Sequence, residues 1–369
     1  MEPRDLSGHV AYQAGRGDEE VARELGIDPD DLVTLSSNEN PLGPSPAAIE
    51  AIRGAASSVH QYPKAAHVDL RDELAERWDL DPRQVWLAAG GDGAIDYLSR
   101  ATLDPGDGVL VPAPGFAYYG MSARYHHGTA AEYALAETDD FELAADVVLS
   151  AYDGERVVYV TSPHNPTGAE MTVDGVRLVA EETDQRTLVV VDEAYGEFSD
   201  RPSAATLLDE RDDVAVLRTF SKVYGLAGVR LGYALVPDEW ADAYAKVNTP
   251  FAASELACRA GLAALDDDAH VEESVHVARW AREFMRDAIS APTYESGGNF
   301  VLVDVGDADV SQDPDDAGAA AAVARELRER GVIVRDCTSF GLPEHVRITC
   351  GTEHETRGAV ETVNEVVGS

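Results

Sequence analysis

Three apolar runs, each ending in a polar loop, restrict the fold of this chain more than any other feature. Arg156-Val157-Val158-Tyr159-Val160-Thr161 leads into Ser162-Pro163-His164-Asn165-Pro166-Thr167-Gly168. Thr187-Leu188-Val189-Val190-Val191 leads into Asp192-Glu193-Ala194-Tyr195, and Val214-Ala215-Val216-Leu217 leads towards Ser221-Lys222. Runs this uniformly apolar, separated by crossovers, predict a largely parallel sheet covered on both faces. In such sheets a ligand lies beyond the carboxyl ends of the strands. Asn165, Asp192, Tyr195, Ser221, Lys222 and Arg230 then gather around one crevice. Singly each has a plain structural reading, Asn165 as turn chemistry and Asp192 as a helix cap. Together on one rim they point to a ligand.

The loop after the third run is Ser221-Lys222-Val223-Tyr224-Gly225-Leu226-Ala227-Gly228-Val229-Arg230, and the strand-like Leu231 to Val236 follows it. A lysine in a glycine-rich loop at a strand end can be desolvated, which favours the free amine that attacks a carbonyl. Of the 29 basic side chains only Lys64, Lys222 and Lys246 are lysines. Arginine stays protonated and forms no imine, so a lysine retained here suits a task arginine cannot perform. On its own the loop fits equally well a lysine that caps a strand and points into solvent.

Upstream, the strand Gln84 to Ala89 runs into Gly90-Gly91-Asp92-Gly93-Ala94-Ile95-Asp96, a glycine turn that opens a helix. Strand, glycine turn and helix start make a phosphate cradle from bare N–H groups and the positive end of the helix dipole. A dinucleotide fingerprint is incomplete, because Asp96 stands where its third glycine belongs. The strand Gly108 to Val111 ends near Phe116-Ala117-Tyr118-Tyr119, an aromatic cluster that the residues alone assign to the core. Pro46 to Ala55, capped by Ser45, and Val68 to Trp78 read as helices. Beyond Phe251 the pattern changes to two long helices, Ser254 to Leu265 and His270 to Ile289. Strands at 299–305, 332–335 and 345–349 follow, with helices at 317–330 and 356–367. The expected organisation is an N-terminal segment 1–45 packing with a small C-terminal α+β domain, 254–369, and a large α/β domain, 46–253.

The net charge is −39, with 68 acidic residues spread along the chain. Such a surface repels nucleic acid and anionic membranes, and neither is expected as a partner. It suits the high salt of a halophile, where screening removes most of the self-repulsion. The three cysteines, Cys258, Cys337 and Cys350, have no metal-ligand spacing and fit a reducing compartment. His126-His127 lacks a third ligand, and no metal site is expected. Without an apolar run long enough to span a bilayer, or a leader-like N-terminus, a cytoplasmic address is expected.

Ser-Asn-Glu-Asn-Pro at 37–41, Asn-Pro-Thr-Gly at 165–168, Asp-Glu-Ala-Tyr at 192–195 and Ser-Lys-x-x-Gly-Leu-Ala-Gly-x-Arg-x-Gly-Tyr at 221–233 resemble, in this order, the pyridoxal-phosphate aminotransferases of the aspartate aminotransferase fold. Ser-Ser-Asn-Glu-Asn-Pro-Leu-Gly-Pro-Ser-Pro at 36–46, Gln61-Tyr62-Pro63 and Val346-Arg347-Ile348-Thr349-Cys350-Gly351-Thr352 are similar to the histidinol-phosphate aminotransferases of histidine biosynthesis. The resemblance implies pyridoxal 5'-phosphate, with Lys222 as its Schiff-base lysine and Asp192 facing the pyridine nitrogen. Asn165 and Tyr195 would hydrogen-bond the phenolic oxygen. Gly91, Asp92, Ser221 and Arg230 would hold the phosphate, joined by Tyr62 from the partner subunit of a homodimer. Phe116 would stack on the ring, against the core reading above. Arg335 and Arg347 would grip the anionic end of histidinol phosphate or glutamate, with Asn38 and Tyr12 closing over the substrate.

Two departures stand out. The cradle lacks the second acidic residue usual after Asp92. The segment Val334 to Pro343 also resembles the threonine-phosphate decarboxylases of cobalamin synthesis, which break Cα–COO⁻ where aminotransferases break Cα–H. Asn38-Glu39-Asn40-Pro41 favours the aminotransferase, since the decarboxylases tend to have isoleucine at the second position. An aromatic or broad-range aminotransferase is the other alternative. A regulator that binds the cofactor without catalysis would need a basic DNA-binding domain before the fold.

Overall fold

The computed structural model describes residues 6, 8–9, 18–26, 28–29, 32–64, 67–311 and 316–368. Tyr12 lies outside them. Eleven strands among these residues form two sheets. The larger holds β2 (Val85–Ala88), β3 (Gly108–Ala113), β4 (Thr129–Ala134), β5 (Val157–Thr161), β6 (Leu188–Asp192), β7 (Val214–Thr219) and β8 (Gly232–Leu235). The smaller holds β1 (Val33–Leu35), β9 (Phe300–Asp304), β10 (Val332–Asp336) and β11 (His345–Thr349).

The order across the larger sheet is β2-β8-β7-β6-β5-β3-β4. All of its strands run parallel except β8, which is antiparallel to both β7 and β2. Every residue of β5, β6 and β7 is buried. Alternate side chains enter two separate cores: Val158, Val160, Val189, Val191, Val214 and Val216 one, Val157, Tyr159, Leu188, Val190, Ala215 and Leu217 the other. A strand with a core on each face has no polar side, which is why these runs are continuously apolar. The helix Gly90–Thr102 covers one face through Ala94, Ile95, Tyr97 and Leu98. The helix Val173–Glu182 covers the other through Val176, Val179 and Ala180.

In the smaller sheet the order is β1-β10-β11-β9. Val33 and Leu35 of β1 pair in parallel with Val332 and Val334 of β10, tying the N-terminal segment to the C-terminal strands. β4 and the helix Tyr118–Tyr125 are among the elements that go beyond the sequence reading. β4 is an edge strand in which only Tyr133 is fully buried, so it carries no apolar run to betray it. The helix Tyr118–Tyr125 begins within the aromatic cluster that follows β3. Among the described residues no helix is long and apolar enough to cross a membrane.

Beneath the loops at the carboxyl edge lies a buried ion group. Arg218 of β7 bonds Glu193 at 2.9 Å and Glu197 at 3.0 Å, and its guanidinium sits 4.6 Å from the centre of the Trp78 ring. Removing the single cation strands two buried carboxylates. Arg218→Met is therefore expected to destabilise the protein by about 3–5 kcal/mol, read from denaturant midpoints at constant salt.

Candidate active site

The carboxyl ends of β2, β3, β5, β6 and β7 lie along one edge of the larger sheet. β8 runs the other way and so begins at that edge, which brings Arg230, two residues before it, to the same place. Gly232 pairs with Ala88 on one side and Thr219 on the other, setting the lysine loop against the glycine turn. The approach is too close for side chains. A Cβ on Gly232 would lie 2.6 Å from the Gly90 carbonyl carbon, and one on Gly90, which has φ +81°, would lie 2.4 Å from Arg230 Nη2.

The helix that starts at Gly90 has no side-chain cap. Its first N–H groups, unsatisfied within the helix, are available to a ligand. Arg230 stands over this turn, bonded to Asp92 Oδ2 at 2.8 Å, and its backbone holds φ +58°, a left-handed conformation that costs energy for a side chain with a Cβ. Ser221 is oriented by Thr219, whose hydroxyl accepts the Ser221 N–H at 3.1 Å and donates to Ser221 Oγ at 3.0 Å. That leaves the Ser221 proton free to donate. The assembly is an anion site.

Lys222 is half-buried beside it. Its Nζ donates to the Ser37 carbonyl at 3.3 Å and lies 5.4 Å from the centre of the Tyr195 ring. Among the described residues no carboxylate pairs with it.

Asp192 ends β6 and is buried. The Tyr119 hydroxyl donates to its Oδ2 at 2.6 Å, and the Ala194 N–H donates to its Oδ1 at 3.0 Å. Thr161 Oγ1 lies 2.9 Å from the same tyrosine oxygen and donates to it, since the tyrosine proton is engaged. Among the described residues no cation pairs with Asp192. Burial outweighs the hydrogen bonds and pushes its carboxyl up to about 6. Tyr119 was not singled out from the sequence, where nothing separates it from the aromatics around it. Phe116 is half-buried, edge-on to Tyr119 at 5.5 Å.

Arg347 and Arg335 are direct cross-strand partners on β11 and β10. Like charges so placed favour an anion between or above them. Arg347 donates to Asn165 Oδ1 and, at 2.7 Å, to the Ser36 carbonyl. Arg335 donates to Ser339 Oγ at 3.0 Å. Both guanidinium groups pack on Phe340, at 5.4 and 6.0 Å, a residue not singled out in the sequence. Asn38 is buried, donating its amide to the Tyr195 hydroxyl at 2.9 Å. Tyr62 bonds to none of these groups: it is 85% exposed and stacks on Phe251.

Glu137, Asp304 and His345 bring potential ligand atoms within 4.8 Å of one another. The buried His345 Nδ1, however, has no hydrogen-bond partner, whereas a metal-bound imidazole donates from its far nitrogen. Tyr294, whose hydroxyl is 3.3 Å from both Glu137 Oε1 and His345 Nε2, instead joins these two in a hydrogen-bonded cluster.

A family model for aminotransferase class I and II matches residues 30–363. The chain belongs to the class I and II aminotransferases. This aminotransferase is 66% identical over 367 residues to the histidinol-phosphate aminotransferase of Haloarcula marismortui, covering 100% of this chain and 99% of that one. The figure is again 66% over 367 residues for the histidinol-phosphate aminotransferase of Natronomonas pharaonis, with 100% of each chain covered. These relatives and that of Halobacterium salinarum come from halophilic archaea, as the acidic surface predicts. Among solved structures, the histidinol-phosphate aminotransferase of Sinorhizobium meliloti in complex with pyridoxal-5'-phosphate superposes with a TM-score of 0.84. The two are 26% identical, with 96% of this chain and 95% of that chain covered. A Thermus thermophilus aspartate aminotransferase variant gives a TM-score of 0.81 at 26% identity, covering 98% of this chain and 100% of the other.

Proposed function

We propose that this aminotransferase uses pyridoxal 5'-phosphate to move the amino group of L-histidinol phosphate to 2-oxoglutarate, giving imidazole-acetol phosphate and L-glutamate. The observation that carries the cofactor assignment is Asp192, a buried carboxylate with neutral donors and no cation, whose carboxyl burial raises to about 6. A protonated ring nitrogen supplies the missing positive charge. The uncapped helix start with Arg230 and Ser221 suits the phosphate, and Lys222 suits the carbonyl carbon. The donor set fits the group.

When bound, the cofactor supplies an electron sink for the pair left at the substrate Cα. The chain's residues do the rest. Lys222 would hold the cofactor covalently, and its free amine would take and return the proton at the substrate Cα. Asp192, held by Tyr119, keeps the ring nitrogen protonated. Asn165, oriented by Arg347, and Tyr195 donate to the phenolic oxygen. The backbone N–H groups of Gly91 and Asp92, with Ser221 and Arg230, would grip the phosphate, and Phe116 would stack on the ring. Arg335 and Arg347 bind the substrate phosphate in one half-reaction and the carboxylate of glutamate in the other.

The test is a single turnover in molar salt. Histidinol phosphate is expected to convert the absorbance of the loaded protein to that of the amine form, and 2-oxoglutarate to restore it. An unchanged spectrum with histidinol phosphate, together with carbon dioxide released from phosphothreonine, would replace the reading with a decarboxylase.

A homodimer belongs to the same proposal. Val59, Tyr62, Val68 and Phe251 are exposed apolar side chains in the region where Tyr62 would cross to a second copy's phosphate site. Tyr62→Phe is expected to weaken cofactor retention by about tenfold, the loss of one charge-assisted hydrogen bond. Equilibrium dialysis reads it, and unchanged retention argues against a shared site.

A further inference from the structure

The segment 36–40 crosses the site and is bonded to it at nearly every residue. Ser36 and Ser37 offer carbonyls to Arg347 and Lys222. Asn299 donates to the Asn38 and Glu39 carbonyls at 3.1 and 3.3 Å. Asn40 donates to the Val223 carbonyl at 2.7 Å and to Ser274 Oγ at 2.8 Å. At the middle stands Asn38, 1% exposed, with φ +53°, a conformation asparagine tolerates better than most residues.

The amide of Asn38 has a determined orientation. Its backbone N–H donates to Thr349 Oγ1 at 3.0 Å, and Thr349 Oγ1 donates back to Asn38 Oδ1 at 3.1 Å. Thr349 is buried, and among the described residues its proton has no other acceptor. Turning the amide over would leave that proton without a partner, so the oxygen faces Thr349 and the Nδ2 faces Tyr195. An amide nitrogen only donates. The Tyr195 oxygen, 2.9 Å away, therefore accepts, and its single proton must be directed elsewhere.

We infer that Asn38, oriented by Thr349, is a positioning residue that fixes the Tyr195 hydroxyl as a donor towards the phenolic oxygen of the cofactor. The inference rests on the proposed cofactor reading and deepens it. A tyrosine free to rotate could give its proton to a neighbouring acceptor, and the phenolic oxygen would lose a donor whenever it did. Asn38 leaves it one direction. The sequence could not show this, because Asn38, Tyr195 and Thr349 come from distant parts of the chain and the argument depends on which amide atom meets which hydroxyl.

The test replaces the donor with an acceptor. Asn38→Asp puts a carboxylate where Nδ2 was, the Tyr195 proton turns to it, and the phenolic oxygen loses its donor. The loaded protein is titrated at fixed salt and the protonation midpoint of its absorbance band is read, alongside cofactor affinity from dialysis. Asn38→Asp is expected to raise the midpoint by about one pH unit, and the change should shrink in a Tyr195→Phe background, where only the added charge acts. Thr349→Val, which releases the amide without adding charge, should move the midpoint the same way by a smaller amount, and only when Tyr195 is present. A midpoint that Thr349→Val leaves unmoved, or an Asn38→Asp change undiminished in Tyr195→Phe, overturns the inference while the cofactor reading stands. No absorbance band dependent on Lys222 overturns both.

Discussion

Lys222→Ala is expected to lower the rate of amino-group transfer by at least about 10³-fold, and Lys222→Arg by as much. The side chain has two tasks on the proposed reading, covalent attachment of the cofactor and proton transfer at the substrate Cα, and alanine performs neither. Arginine keeps the charge but forms no imine, so it separates the amine's chemistry from its electrostatics. No other lysine can substitute. Lys64 is bonded to Asp69, and Lys246 lies in the short helix Tyr244–Val247. Stability should hardly change, because the one hydrogen bond lost is Nζ to the Ser37 carbonyl, worth about 1 kcal/mol. Single-turnover absorbance with histidinol phosphate, beside a denaturant titration, checks both halves. Residual transfer within tenfold of the wild-type rate would remove Lys222 from the reaction.

Asp192→Asn is expected to act in opposite directions on activity and on stability. Transfer should fall by about 10²- to 10³-fold, because asparagine cannot hold a charged ring nitrogen. The protein without cofactor should become more stable at neutral pH. Burial raises the Asp192 carboxyl from its ordinary 3.8 to about 6. The folded state therefore takes up a proton between those values that the unfolded chain does not. The contribution of this group is fully present below the unfolded value and is lost as pH rises through about 6, a change of about 3 kcal/mol. Wild type and Asp192→Asn should accordingly have similar unfolding free energies near pH 4 and diverge towards pH 8, the variant being the more stable. Denaturant midpoints across that range, at one salt concentration, read the difference. A constant gap would mean that Asp192 does not titrate there. Divergence would make the site a place where function is kept against the preference of the empty fold.

Much of this was open to a reader of the sequence. β5, β6 and β7 are buried on both faces, and that condition writes itself as runs of Val, Leu and Ala broken by one apolar-faced Tyr159. The polar residues that follow each run then had to share an edge, and the structure places Asn165, Asp192, Ser221, Lys222 and Arg230 there. What was hidden depended on partners rather than pattern. β4 is solvated along most of its length, so its sequence looks like any polar segment. Tyr119 is one aromatic among several until the chain sets it 2.6 Å from Asp192. Phe340 matters because two arginines on paired strands share its ring, a relation between β10 and β11 that local spacing cannot express. Tyr62 remains solvent-exposed in a single chain, and only a second copy could give it the task proposed for it.

The reversed strand β8 has one more consequence. Because Thr219 is paired with Gly232, the intervening loop is pinned at both ends, with Lys222 near one end and Arg230 near the other. The amine that would seize one end of the ligand and the guanidinium that would seize the other are thus carried on one clasp of fixed span. On the proposed reading it is this backbone pairing, and not the two side chains alone, that sets how far apart the amine and the guanidinium stand.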